Sequence, residues 1–389
     1  MRLGALTLAL LALGCTPKPS PPVHPDSEAC RLFADSPQPL DSVTVVLSDA
    51  DAATNALSSL VRLDCRGHAQ PGLATSWSKD AGGRTWTLII REDARGVDGL
   101  PLTAPRIAAT WAEREMVQTS RVVDSVVPVD ERTIAVTLRQ AQDSVPSILA
   151  DPVFSIPVAS EQGRVTVEFE RLNREDPRDA LDRGADILVT RDPSVLEYVA
   201  GRPEFVSFSL PWSKTYVLLE IGNHADSLFR LFTYPHAGRS LADAAGVDAR
   251  PAQPPFWWND LAACPRDRVN AFGRQFPHVV YAEGDEVARR MAERVVAFTP
   301  SAADVRALAL RPAELTAALR SNSARAYVLA VPRRSLAPCR DSSGWPPATS
   351  IQPLIDSRAF AIVRRGSPPL LVDWDGTIRI GDAVDGHRR

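Results

Sequence analysis

The chain has little net charge, no second long apolar run and no familiar catalytic loop. Its net charge of -3 over 389 residues gives neither nucleic acid nor an anionic membrane a field to follow. Beyond the N-terminus no apolar stretch is long enough to span a bilayer, which takes about 20 residues. G-x-S-x-G, H-E-x-x-H and Walker-type loops are absent. The 6 histidines are scattered, with His224 and His236 the nearest thing to a pair, so no metal site is assigned. No C-x-x-C spacing occurs, which leaves zinc as the weaker reading of the cysteines. One literal match remains, D-x-D-G-T at Asp373 to Thr377. Phosphatase chemistry of the haloacid-dehalogenase type needs a parallel α/β domain after such a loop, and too little chain follows. We read it as a hairpin with Asp375-Gly376 at its turn. The chain is expected not to be an enzyme and to need no cofactor.

What is present begins with a targeting segment. Arg2, the apolar run Leu3 to Leu13 and Gly14-Cys15 make residues 1–15 resemble a lipoprotein signal, with Cys15 the acylated residue; a plain secretory signal is the alternative. Residues 16–37 open with a proline-rich tether, Thr16 to Pro22, stiff and extended. An exported chain has an oxidising surrounding, so the even set Cys30, Cys65, Cys264 and Cys339 reads as disulfides, with three pairings open. The length is enough for more than one lobe. Its 33 prolines argue against long helical arrays.

The most informative stretch runs from Leu63 to Glu113. Pro71-Gly72 turns into an apolar run ending at Trp77, and Asp80-Ala81-Gly82-Gly83 reverses the chain. Thr85 to Ile90 alternates β-branched and aromatic residues as a strand does. After a turn at Gly96 to Gly99, Thr103 is placed to cap a helix with Ile107, Ala108, Trp111 and Ala112 on one face. This order resembles the signature of the family 5 extracellular solute-binding proteins, the peptide- and nickel-type receptors of ABC importers. Pro71, Leu73, Ala74, Ser76, Trp77, Asp80, Gly82, Trp86, Arg91, Asp98, Gly99, Pro101, Leu102, Thr103 and Ala104 fall on it.

The resemblance implies a two-lobed α/β fold of the periplasmic-binding-protein type (type II, cluster C-like), with an extra subdomain on lobe I. Lobe I is expected over 38–67, 152–225 and 348–389, the accessory subdomain over 68–151, and lobe II over 226–347. Pairing Cys30 with Cys65 and Cys264 with Cys339 then keeps each bridge within one lobe. Val43 to Leu47 reads as a strand and Ala53 to Leu63 as a helix, with Asp49 and Asp51 near a cleft or capping that helix. Strands are expected at 122–127, 133–138, 165–170, 279–282 and 325–330, and a helix over Val287 to Phe298.

Trp212 and Tyr216 lie in the segment that faces ligand in relatives, four residues apart and so on one face. Trp257 and Trp258 are adjacent, so from a strand one of them would line a groove or partner surface. Where peptide-binding relatives carry an acidic D-Y-x-D-P element, this chain has Val331 to Leu336, with Arg333 and Arg334 read first as a solvated basic turn and alternatively as receiving an anionic group. The G-T-G-P-Y and V-R-x-A-L segments of the family are absent.

The expected function is that of an exported binding protein, periplasmic or at the cell surface and held by its N-terminal lipid. As a monomer it would deliver a small solute or peptide ligand to an ABC permease in the inner membrane, with no nucleic-acid partner. The alternative is an interaction lipoprotein that keeps the fold without transport.

Overall fold

The computed structural model describes residues 30–32, 42–48, 57–113, 120, 122–151, 154–158, 161–162, 165–172, 175–221, 236–246, 248–263, 276–299, 304–336, 338–342, 345 and 350–380. Two six-stranded sheets and one four-stranded sheet organise it. The first runs in the order Glu161–Gln162, Val165–Arg171, Ser42–Leu47, Ile187–Thr190, Phe360–Arg364, Phe205–Ser209. Its pairs Val165–Arg171 with Ser42–Leu47 and Ser42–Leu47 with Ile187–Thr190 are parallel. Pleating sends alternate residues to opposite faces. Val46, Leu188, Phe360 and Ile362 bury against the helices Pro177–Asp182 and Pro193–Val199. On the other face Val45, Ile187, Ala361 and Val363 meet Leu32, Leu370, Val372 and Ile378. Those last residues belong to a small sheet in which Arg31–Leu32 pairs with Leu370–Val372, and the latter with Ile378–Ile380.

The second sheet runs in the order Ala249–Pro251, Ser350–Ser357, Lys214–Glu220, Ala324–Pro332, Phe276–Ala282, Arg306–Leu310. One face packs on the helices Ala237–Ala245 and Glu286–Ala297 through Tyr216, Leu218, Val279 and Val328. The other packs on Pro312–Ser321 and on the short 3-10 turn Trp257–Ala263 through Val217, Leu219, Tyr327 and Leu329. Lys214–Glu220 and Ser350–Ser357, expected with lobe I, pair inside this sheet. All six of its strands therefore come from the uninterrupted segment 214–357.

The third sheet, Ala74–Lys79, Thr85–Ile90, Thr133–Leu138 and Val123–Pro128, is wholly antiparallel. Helix Ala104–Glu113 covers it, with Ala104, Ile107 and Trp111 buried. Ala112, expected on that face, is exposed. The signature residues build this unit. The Asp80 carboxylate accepts the Arg84 and Thr85 amides at 2.9 and 3.1 Å and closes the first turn. Asp98 accepts the Leu100 amide and pairs with Arg106 at 2.6 Å. A methyl on Gly72 would overlap the Ser59 carbonyl oxygen and reach that of Leu60 at 2.9 Å, so only glycine lets these segments approach.

The helix expected over Ala53 to Leu63 does not form where it is described. Leu57–Ser58 and Val61–Leu63 are strands, paired with Ile156–Pro157 and Ala69–Pro71. The spacing of Leu57, Leu60 and Val61 suits a helix, but partners distant in sequence decide the backbone. Asp49 and Asp51 lie outside the described residues. Cys30 and Cys65 are joined. Cys339 is also disulfide-bonded, its partner outside the described residues, as is Cys264. Among the described residues no helix is long and apolar enough to cross a membrane.

Candidate functional site

The chain passes from the first sheet to the second over 210–213 and returns over 358–359. The two crossings lie side by side, the Leu210 amide donating to the Ala359 carbonyl at 2.9 Å. A cleft of about 1090 Å³ opens beside them, lined by residues of both crossings and of the loops around 65, 250–257, 333–335 and 372–374. That size suits a small ligand.

Its chemistry is cationic and aromatic. Arg66, Arg250, Arg333, Arg334 and Arg358 reach it, with Trp212, Phe256, Trp257 and Trp374 between them, and among the described residues no carboxylate is in the wall. The acids stand behind. Asp356, fully buried, accepts the Thr215 hydroxyl at 2.7 Å, and pairs with Arg333 at 3.1 Å and Arg250 at 3.4 Å. Arg333 also donates to the carbonyls of Gln253 and Pro255, which commits its guanidinium to holding the 253–255 loop. Asp248 holds Arg358 at 2.9 Å. Arg250 and Arg358 both lie over the Trp212 ring, 4.2 and 4.6 Å from its centre, cation–π contacts that fix their directions.

The sequence candidates separate here. Trp212 is in the cleft wall, and so is Trp257, whose indole N–H donates to the Pro332 carbonyl at 2.8 Å. Trp258 is not in the wall; it stacks on Phe256 at 4.8 Å and joins the core. Both tryptophans can bury because they sit on a 3-10 turn, where the two-face rule for a strand does not apply. Tyr216 faces the other side of the second sheet, its hydroxyl donating to Asp285 at 3.0 Å. The strand begins only at Lys214, so the four-residue spacing from Trp212 carries no common face. Burial holds the Tyr216 phenol well above its ordinary value. Beside it, burial brings Lys214 down to about 8, partly offset by Asp285.

Arg66, Arg250, Arg358 and Trp374 were not legible as site residues. They share no period or motif, and only the tertiary fold gathers them. The D-x-D-G-T loop is structural. Asp373 pairs with Arg62 at 2.6 Å and Arg379 at 2.9 Å, and Asp375, raised by burial, accepts the Thr377 amide across the turn at 2.9 Å. Among the described residues no three His, Cys, Asp or Glu side chains converge as metal ligands.

Residues 68–180 match the profile of the bacterial extracellular solute-binding proteins, family 5 Middle. The periplasmic murein peptide-binding protein MppA of Escherichia coli (strain K12) is 33% identical over 85 residues, 22% of this chain. The periplasmic oligopeptide-binding protein OppA of Haemophilus influenzae is 36% identical over 63 residues, 16% of this chain. These matches span only 16% and 12% of the two relatives' lengths. Whole-fold likeness reaches further. The structure of the E. coli murein tripeptide binding protein MppA aligns with a TM-score of 0.58 at 14% identity, covering 87% of this chain and 98% of that one. NikA from Staphylococcus aureus, in complex with Ni(L-His)2, aligns at 0.57 and 12% identity, covering 88% and 99%. Residues 68–180 thus resemble the middle region of the family 5 extracellular solute-binding proteins, and the chain as a whole shares the two-lobed α/β fold of these structures.

Proposed function

We propose that the chain is an exported, lipid-anchored binding protein that takes a small solute into the cleft beside the 210–213 and 358–359 crossings and presents it to an ABC permease. The cleft itself carries this reading: about 1090 Å³ of space lined from both sheets, at the place where two short crossings would let the sheets close on a ligand. The two sheets would form the lobes, lobe II being 214–357, with the four-stranded sheet accessory to lobe I. Relatives named for murein peptide and oligopeptide binding support solute capture, and the Cys30–Cys65 bridge supports an oxidising compartment. Cys15 would carry the lipid. The test is thermal melting of the purified exported chain against a broad library of peptides and small solutes. A binder raises the midpoint in proportion to the logarithm of its concentration, and a library without one such compound defeats the proposal.

A second reading, an interaction lipoprotein on the same fold, draws on a different observation. Among the described residues five of the six exposed large hydrophobics, Ile89, Val97, Leu100, Val127 and Val129, fall in the accessory unit. Their concentration in one unit is what favours a partner there over a scatter of single exposed residues.

A further inference from the structure

The cleft's wall specifies more than a solute. A pocket for zwitterionic chain ends needs an acid for the ammonium as well as a cation for the carboxylate, and among the described residues the charged groups of the wall are all cations. Acids nearby are consumed from behind: Asp356 is fully buried under Arg333 and Arg250, Asp248 is bonded to Arg358, and Asp373 is bonded to Arg62 and Arg379. Arg333 is held at all three nitrogens by Asp356 and two carbonyls. Arg250 spends its Nε on Asp356 and leaves its terminal nitrogens to the cleft. Arg334 sits exposed at the rim, near Gly67. Guanidinium forks bind carboxylate and phosphate through paired hydrogen bonds, and their planes lie well on aromatic faces. Arg250 and Arg358 both lie over the Trp212 ring, which holds Arg250 in place with its terminal nitrogens towards the cleft.

We infer that the solute is a small organic anion with two or more acidic groups, carboxylate or phosphate, received by Arg250 and Arg334 against the aromatic wall of Trp257 and Phe256. This rests on the solute-binding reading above. In the same frame Trp212 is a positioning residue, setting two guanidiniums rather than stacking the ligand.

Calorimetric titration of the purified exported chain with citrate, inorganic pyrophosphate, trialanine and trilysine tests it. Citrate or pyrophosphate should bind saturably and more weakly as salt rises, because added ions screen the pairing. Whichever of the two binds tells carboxylate from phosphate. Arg334→Ala and Arg250→Ala should each weaken that binding about tenfold, the loss of one charge-assisted contact, while Arg334→Lys recovers part of it. Far-UV spectra check that each variant is folded, and Arg334, being exposed, keeps the test alive if Arg250→Ala does not fold. Binding of trialanine or trilysine in place of the anions overturns the inference, as does anion binding unchanged in both alanine variants. If all four probes are silent while the broad library yields a stabilising compound, the anion inference falls and solute binding stands. If the library is silent too, both fall.

Discussion

Two tryptophans separate what holds the molecule from what it offers. Trp86 is 4% exposed inside the accessory core, and truncation there should cost about 3–5 kcal/mol, as large-to-small core changes do. Trp212 packs chiefly under two guanidiniums. Trp212→Ala should melt cooperatively near the parent temperature yet bind citrate or pyrophosphate less well, because Arg250 and Arg358 lose their platform. Urea melts and the anion titration compare the pair, and loss of folding in Trp212→Ala would contradict the assignment. A third residue sets a pH dependence. Burial brings Lys214 from 10.5 down to about 8. Between about 8 and 10 the unfolded chain holds the proton that the folded chain has released, so stability climbs with pH across that window. The climb ends where tyrosine ionisation opposes it, since Tyr216 and Tyr327 are raised in the fold. Melting temperatures from about pH 7.5 to about pH 10 should rise for the parent, and the rise should shrink in Lys214→Met.

At the scale of elements, what was legible had local causes. Thr85–Ile90 and Thr133–Leu138 emerge with the bounds expected, because alternation and β-branching suffice when the neighbouring strand is a hairpin away. Helix Glu286–Ala297 follows from its apolar spacing, with Val287, Met291 and Val295 buried. The segment at 57–63 was misread because its strands are decided by Ala69–Pro71 and Ile156–Pro157. Of the candidate cleft's wall, the sequence singled out Trp212 through the resemblance and Trp257 through its tryptophan pair, while Arg333 and Arg334 stood out only as a departure from the family pattern. Arg66, Arg250 and Arg358 come from a turn, an edge strand and a crossing that share nothing in sequence. The helix start at Asp285 allows a clean test. Its carboxylate accepts the Ala288 amide at 2.8 Å and the Tyr216 hydroxyl at 3.0 Å. Asp285→Ala should cost about 1–2 kcal/mol for the cap alone. Asp285→Asn, which can still cap, should cost less, and equal losses in urea unfolding would show that charge rather than capping matters there.

At the scale of the whole molecule, the Cys30–Cys65 bridge closes a loop with a sequence separation of 35. It ties the strand Arg31–Leu32, and through it the hairpin 370–380, to the base of the accessory unit. Chain-entropy arguments give a loop of this size about 4 kcal/mol, so the double variant Cys30→Ala with Cys65→Ala should unfold at clearly lower urea than the parent. An unchanged midpoint would show that the small sheet is anchored without the bridge.

The continuity of 214–357 bears on the order in which the molecule can assemble. Every strand of the second sheet is available once Ser357 has emerged, and its two ends start and finish beside each other. The first sheet must wait. Its Phe360–Arg364 strand stands between Ile187–Thr190 and Phe205–Ser209, and Leu370–Val372 is the partner of Arg31–Leu32. The earliest described part of the chain is therefore completed by the latest, with the second sheet built in between. During synthesis, until Phe360–Arg364 has emerged, Phe205–Ser209 has no strand to pair with, and such an unpaired edge invites misassembly. A truncation before Phe360 would leave a sound second half attached to a first half with its sheet split in two.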